Sequence, residues 1–300
     1  MTSEDKSELI AECGEGGETH SKPAKMRAKR EDRRAKRDEK RKARKEKMLR
    51  AFSRVKSAFE DALFPMDATC DLCGEELTAD TRYRLCADCA ARLPMTGEHI
   101  CLSCGVTLTD EADYCIRCEN SDYKFKLNRA PMAYDGAAKD IVYAMKFGGK
   151  RYIAATLGAM MADEFIKRRM AADIAVFVPM TADEENRRGY NQSELLAREV
   201  ADRLKLPLLP ALVKVKDTAA QKKLSGKERE DNLDGAFSCV YNQVKGRRIL
   251  LIDDVFTTGA TANACTKALM KAGAREVCVL TAAVTRKKIA VESADGTAAI

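Results

Sequence analysis

The stretch that decides the fold is ILLIDDVFTTGATANA, residues 249–264. A short apolar run ends in two adjacent acids, Asp253 and Asp254, and continues through a threonine-rich loop with Gly259 into an Ala-rich helical pattern. In open parallel α/β sheets, ligands bind outside the carboxyl ends of the strands. Free N–H groups at a helix start attract anions, so the loop 257–261 predicts a phosphate site. The carboxylates beside it suit ribose hydroxyls or a metal ion, and a phosphorylated ribose needs both.

The segments around this stretch predict an α/β fold. Strand-like runs alternate with helical patterns of 10 to 15 residues, which is typical of a parallel sheet with right-handed crossovers. The predicted strands are IAVFVPM (174–180), ALVKV (211–215), RRILLIDDV (247–255) and EVCVLTAAV (276–284), and the predicted helices are 190–205 and 261–274. The long polar segment 216–235 is predicted to be a functional lid or a disordered loop.

Two other nucleotide-binding folds also place acids or glycines near a strand end. A Walker-B strand requires a GxxxxGK[ST] partner, and a nicotinamide-binding fold requires GxGxxG after its first strand. GGK at residues 148–150 is followed by arginine and lacks the first glycine, and no GxGxxG is present. The sequence therefore favours neither class.

Eight of the 12 cysteines form four CxxC pairs. This spacing lets two thiolates face one metal ion, and four thiolates complete a closed tetrahedral zinc site. CDLCGEEL and CLSCGVTL form an internal repeat, each followed by a second pair. The sequence predicts two structural Zn²⁺ sites in series, with an interleaved pairing left open, from Cys70, Cys73, Cys86, Cys89 and from Cys101, Cys104, Cys115, Cys118.

The N-terminal part of the chain has a different composition. Residues 22–50 hold 16 Lys or Arg against 5 Asp or Glu, whereas the whole chain has a net charge of +7, so the remainder sums to −4. Residues 1–47 are predicted to be a disordered basic extension, and 48–66 an amphipathic helix. The extension suits either a polyanion tether or a tail of no fixed role. No apolar run approaches a membrane span and no signal-peptide pattern is present, so we expect a cytoplasmic protein.

Several separated motifs resemble those of the ComF family. ILLIDDVFTTGAT resembles the phosphoribosyl pyrophosphate (PRPP) signature of type I phosphoribosyltransferases. The eight cysteines resemble the double zinc ribbon of that family. YAMKFGGK, the run VPM followed by RRGYNQ, and a segment with Thr218, Gln221, Leu224, Arg229 and Asn232 occur in the family's order. The resemblance covers residues 59 to 286.

The resemblance implies a type I phosphoribosyltransferase-like (Rossmann-like) domain over 123–290. It follows a zinc-ribbon module over 67–122 and precedes a C-terminal tail, 291–300. Asp253 and Asp254 would be the catalytic acids, addressing the ribose directly or through Mg²⁺. The implied hood loop residues are Gln221, Arg229 and Asn232. The implied PRPP-binding residues are Lys146, Arg188, Val255, Thr257, Thr258, Gly259, Ala260 and Thr261.

The resemblance also implies a function. PRPP would be bound with magnesium and its phosphoribosyl group transferred to an unknown acceptor, in a role linked to single-stranded DNA uptake in natural transformation. Single-stranded DNA and a competence helicase are the candidate partners. The alternative is a non-catalytic PRPP sensor, or an adaptor that binds nucleic acid or protein through its ribbons and basic tail. The acceptor and the oligomeric state are left open.

Overall fold

A computed structural model describes residues 69–77, 81–215, 233 and 235–286, which all lie in the unit Asp67–Ile300. Several predicted features lie outside these residues: the basic extension 1–47, the helix 48–66, the C-terminal tail 291–300, and the hood residues Gln221, Arg229 and Asn232.

A six-stranded parallel sheet forms the centre of the fold. The order is β1-β8-β7-β3-β4, and β2 also pairs with β8. All of these pairings are parallel, as predicted. The strands are β1 (Asn128–Arg129), β2 (Met132–Ala133), β3 (Ile174–Phe177), β4 (Leu208–Leu209), β7 (Arg248–Phe256) and β8 (Glu276–Val284).

The two long strands occupy the middle of this sheet because they are apolar on both faces. Residues 249–252 of β7 are 0 to 1% exposed, and every residue of β8 after Glu276 is buried. Continuous aliphatic runs of this kind suit a parallel strand that is covered on both sides. The acids that follow Ile252 are therefore placed at the carboxyl edge of the sheet.

Helices cover the sheet and connect its strands. These helices are α3 (Gly136–Phe147), α4 (Ile153–Lys167), α5 (Ala182–Arg188), α6 (Gln192–Leu204) and α7 (Ala260–Lys271). α3 and α4 precede β3, α5 and α6 follow it, and α7 joins β7 to β8. Among the described helices, none combines the length and hydropathy needed to span a membrane.

The predicted strand ALVKV is present, but it is not in the parallel sheet. It forms β5 (Leu212–Lys214), which pairs antiparallel with β6 (Phe237–Cys239) in a separate two-stranded sheet. The edge position beside β3 is taken instead by β4. Residue type indicated a strand here, but the pairing depends on residues 23 to 27 positions away, which a local pattern does not reveal.

The cysteine module contains two short helices, α1 (Ala87–Ala91) and α2 (Ile116–Glu119). Its second half packs on the edge of the main sheet. The N–H of Asn128 donates to the Ser103 carbonyl at 2.7 Å, and the Asn128 side chain donates to the Cys104 carbonyl at 2.8 Å. Gly105 has φ of +76°, and a Cβ there would lie 2.7 Å from the carbonyl oxygen of Asn128. Glycine therefore allows this close approach of ribbon and strand.

Candidate functional site

Asp253 and Asp254 lie near the end of β7, where successive side chains point to opposite faces of the sheet. The hydroxyl of Ser193 on α6 donates to Asp253 Oδ1 at 2.8 Å, and the N–H of Asp254 donates to the same oxygen at 2.9 Å. Lys146 Nζ, in the last turn of α3, lies 2.8 Å from Asp254 Oδ2. Each acid is thus held by a different helix.

The two carboxylates have unequal electrostatic environments. Burial, and then the negative charge of Asp254, raise the pKa of Asp253 from 3.8 to about 7. The hydrogen bond from Ser193 opposes this shift but does not cancel it. Asp254 is 14% exposed and is neutralised by Lys146, which is 18% exposed. At neutral pH the carboxyl group of Asp253 is therefore poised between its two protonation states, beside an Asp254 that is paired with Lys146.

The loop after β7 turns sharply into α7. Gly259 is the N-cap residue, with φ of +81°, and as a glycine it has no side chain that could cap the helix. The Thr258 hydroxyl accepts from the N–H of Ala260 at 3.3 Å. We call residues 257–261 the anion loop, because N–H groups at a helix start and threonine hydroxyls can donate to one anion.

A cavity of about 450 Å³ joins the acids and the anion loop. It brings together Asp253 and Asp254 with Arg188 and with Thr257, Thr258, Ala260 and Thr261 of the anion loop. Further walls are contributed by Val178, Pro179, Met180, Glu184, Gln192, Ser193, Lys214, Leu233 and Phe237. Three predicted residues are not among its walls: Lys146 contacts Asp254 from α3, Val255 is buried in the core, and Gly259 shapes the turn.

Another wall of the cavity is built by the segment after β3. Thr181 caps α5 through a capping box with Glu184, and Glu184 also lies 3.0 Å from Lys214 Nζ. Arg188 Nη1 donates to Gln192 Oε1 at 3.1 Å, and its guanidinium lies over the Phe147 ring, 5.0 Å from the centroid. These contacts fix an arginine at the cavity wall.

Gln192 and Ser193 are functional candidates that the sequence did not single out. Gln192 is 2% exposed, lines the cavity, and its buried Nε2 has no hydrogen-bond partner among the described residues. A buried donor of this kind is costly unless a ligand or water accepts from it. The RRGYNQ motif contained the only sequence signal for Gln192, and Ser193 had none.

The eight cysteines form two separate tetrads in the sequential pairing. Within each tetrad the Sγ atoms all lie within 4.8 Å of one another. Cys73 and Cys86 are 3.6 Å apart and Cys104 and Cys115 are 3.7 Å apart, close to the ~3.8 Å edge of a tetrahedron with Zn–S bonds of about 2.3 Å. Both sets therefore fit zinc, and neither leaves a ligand position for water.

Two known domain families match this chain. Residues 59–119 match the double zinc ribbon domain, and residues 191–297 match the phosphoribosyl transferase domain. The zinc-ribbon prediction and the phosphoribosyltransferase-like fold are thereby confirmed.

Curated relatives cover most of the chain. Competence protein F of Haemophilus influenzae is 32% identical over 201 residues, which are 64% of this chain and 87% of the relative. DNA utilization protein YhgH of Escherichia coli is 29% identical over 214 residues, or 69% and 93% of the two chains. Competence protein ComFC of Bacillus subtilis is 27% identical over 223 residues, or 68% and 89%.

Solved structures give a more distant likeness. The glutamine PRPP amidotransferase of Bacillus subtilis is 26% identical with a TM-score of 0.31, over 43% of this chain and 26% of that chain. TT1426 of Thermus thermophilus is 17% identical with a TM-score of 0.29, over 46% and 85%. At these scores the family assignment rests on the curated relatives and the domain matches. The chain belongs to the ComF family, as a double zinc ribbon joined to a parallel-sheet α/β domain of phosphoribosyltransferase type.

Proposed function

We propose that this protein binds PRPP with magnesium in the cavity at the end of β7 and transfers the phosphoribosyl group to an acceptor. One observation carries the proposal: an acidic pair and an anion loop, contributed by one continuous strand-loop-helix segment, line the same cavity. A ligand with hydroxyl groups at one end and a phosphate at the other matches this arrangement. The matched phosphoribosyl transferase domain supports it.

The anion loop would hold the ribose phosphate. Its N–H groups at the start of α7 carry the positive end of the helix dipole, and the hydroxyls of Thr257, Thr258 and Thr261 add donors. On another wall, Arg188 and the Nε2 of Gln192, which has no hydrogen-bond partner among the described residues, would face the pyrophosphate. The two anionic groups of PRPP would thus be held at different walls.

The acids would act at the reacting sugar. As the bond between C1 and pyrophosphate breaks, positive charge develops on the ribose ring, and the carboxylates of Asp253 and Asp254 stabilise it. Asp253, whose pKa is about 7, can accept or donate a hydrogen bond at a ribose hydroxyl. Loss of one such contact would slow transfer on the order of 100-fold.

Magnesium fits the chemistry of these donors, because it prefers carboxylate, phosphate and water oxygens. Asp253 and Asp254 are the carboxylates that would hold it, directly or through the ribose. When bound, it supplies positive charge that offsets the pyrophosphate. Lys146 would keep Asp254 oriented before substrate enters, through the 2.8 Å contact already present.

A link to single-stranded DNA uptake is part of the proposal. The relatives are named competence proteins and DNA utilization proteins, which supports a role in handling incoming DNA. Single-stranded DNA and a competence helicase stay the proposed partners, and the cytoplasm the proposed location.

The test is calorimetric titration with PRPP and Mg²⁺. We expect wild-type protein to bind, and the Asp253→Asn/Asp254→Asn double variant to lose binding while keeping two zinc ions. The matched control is Asp173→Asn, which removes a carboxylate paired with Arg248 at the opposite end of the sheet. The control should bind like wild type. Wild-type protein that is folded and zinc-loaded but does not bind PRPP would refute the proposal, and binding without turnover of any acceptor would indicate a sensor.

A further inference from the structure

We propose that the second zinc ribbon, which holds the tetrad Cys101, Cys104, Cys115 and Cys118, orients the anion loop, with Arg117 and Tyr123 as the positioning residues. This inference rests on the proposed function, since it concerns the same loop. Arg117 lies between the ligands Cys115 and Cys118, and Tyr123 follows five residues after the last ligand. Neither residue lines the cavity, so both would act through the loop.

Two hydrogen bonds join these residues to the back of the loop. Arg117 Nη1 donates to the carbonyl of Thr257, and the Tyr123 hydroxyl donates to the carbonyl of Thr258 at 2.6 Å. The Arg117 guanidinium also lies over the ring of Phe256, 5.6 Å from its centroid. Two consecutive peptide groups of the anion loop are therefore held by hydrogen bonds from the ribbon side.

Because of peptide geometry, these two hydrogen bonds also orient backbone N–H donors of the anion loop. In a planar trans peptide the C=O and the following N–H point in opposite directions. The carbonyls of Thr257 and Thr258 point to the ribbon, so the N–H groups of Thr258 and Gly259 point away from it. Thr257 and Thr258 line the cavity whereas Arg117 and Tyr123 do not, so we infer that the cavity lies on the face of the loop away from the ribbon. The ribbon thus sets the direction of two N–H donors for the phosphate.

The surroundings of Tyr123 make its position rigid. Its ring stacks on Phe125 with centroids 4.7 Å apart and meets Phe256 edge-on at 6.3 Å. A Cβ added to Gly259 would lie 2.9 Å from the Tyr123 ring. The N–H of Lys124 donates to the side chain of Asn263 on α7 at 2.7 Å. The segment after the ribbon is therefore packed tightly against both the loop and the helix that follows.

Metal binding at the second tetrad would fix Arg117 in place. α2 has only four residues and begins directly after Cys115, so its geometry depends on the CxxC turn more than on helix propensity. The first tetrad is placed differently. Its ribbon contacts α4, through Asp71 with Thr156 at 2.6 Å and Tyr83 with Asp163 at 2.8 Å. Only the second ribbon reaches the anion loop in the described part of the chain.

The experiment compares Arg117→Ala and Tyr123→Phe with wild type. Arg82→Ala is the matched control, because Arg82 is a first-ribbon arginine paired with Asp163 and is 75% exposed. Zinc content, affinity for PRPP with Mg²⁺, and hydrogen exchange of peptides spanning 256–265 without ligand are measured. We expect PRPP binding about tenfold weaker in Arg117→Ala and about threefold weaker in Tyr123→Phe, the size of one lost hydrogen bond each. Hydrogen exchange of the loop should be faster than in wild type in both variants and unchanged in Arg82→Ala. In Arg117→Lys the exchange rate should lie between those of wild type and Arg117→Ala.

The outcomes separate this inference from the proposed function. Unchanged PRPP affinity and unchanged loop exchange in both variants would overturn the positioning role, even if wild type binds PRPP. Weaker binding with unchanged exchange would also overturn it, because Arg117 would then act on the ligand directly. If wild type does not bind PRPP, the proposed function fails and loop exchange alone decides the inference. If Arg117→Ala loses zinc, Tyr123→Phe decides it, because Tyr123 lies outside the tetrad.

Discussion

Replacing Asp253 with asparagine should make the ligand-free protein more stable. Burial and the neighbouring charge of Asp254 raise the pKa of Asp253 from 3.8 to about 7, so at pH 8 the folded protein holds an ionised carboxylate in a place that disfavours it. At about 1.36 kcal/mol per pKa unit, the shift of roughly three units corresponds to about 4 kcal/mol. The carboxylate borders a cavity open to water, which reduces this figure, and we expect a net gain of about 1 to 3 kcal/mol.

The pH dependence follows from the direction of the shift. A carboxyl with a raised pKa in the folded state binds more protons when folded than when unfolded, so wild-type stability falls as pH rises from about 4 to 7. The variant lacks this dependence. The difference in free energy of unfolding between Asp253→Asn and wild type should therefore be close to zero near pH 4, increase between pH 4 and 7, and reach its full size at pH 8. The melting temperature should rise by about 2 to 8 °C at pH 8.

The assay is thermal unfolding of zinc-loaded wild type and Asp253→Asn across this pH range. Asp173→Asn serves as the control of opposite sign, because hydrogen bonds from Arg248 lower the pKa of Asp173 to about 2. Its stabilising contribution is present above about pH 4 and lost as pH falls towards 2, so its removal should lower the melting temperature at pH 8. A melting temperature of Asp253→Asn at or below wild type at pH 8, or a difference independent of pH, would refute the reasoning.

Three further perturbations test other parts of the structure. Gly259→Ala should weaken PRPP binding at least tenfold, because Gly259 has φ of +81°, which disfavours alanine, and the new Cβ would lie 2.7 Å from Phe256. Unchanged affinity in calorimetry would contradict this. Asp71→Ala should lower the free energy of unfolding by about 3 kcal/mol in urea titration, because it removes a buried carboxylate that is paired with Arg84, whose side chain is only 19% exposed. A loss under about 1 kcal/mol would count against this reasoning. Cys115→Ser should reduce bound zinc from two ions to one by elemental analysis, and retention of two would contradict the need for Cys115 as a ligand.

Local sequence patterns were sufficient for the metal sites and for the strand-loop-helix segment. The CxxC spacing predicted both tetrads, and the apolar run before Asp253 predicted β7 and its carboxyl end. In each case the residues that decide the structure are close together in the chain. The physical cause is a short-range one: knuckle geometry for the cysteines, and two-sided burial for the strand.

The partners of the site residues were beyond sequence reasoning because they come from distant segments. Ser193 and Asp253 are 60 residues apart, and Arg117 and Thr257 are 140 apart. Neither Ser193 nor Arg117 stands out by type, since serine at a helix start and arginine within a CxxC pair are ordinary. Only the packing of α6 and α2 around the end of β7 gives these side chains a role. Gln221, Arg229 and Asn232 stay predictions.

The packing of the second ribbon on β1 has a consequence for solubility. β1 is an edge strand, and a bare sheet edge offers unpaired N–H and C=O groups to the edges of other chains. Here the edge is covered by the backbone of Ser103 and Cys104, whose positions depend on a metal-bound turn. Zinc starvation would then do more than loosen a small module. It would also expose the N–H of Asn128 at a sheet edge, where another chain could pair.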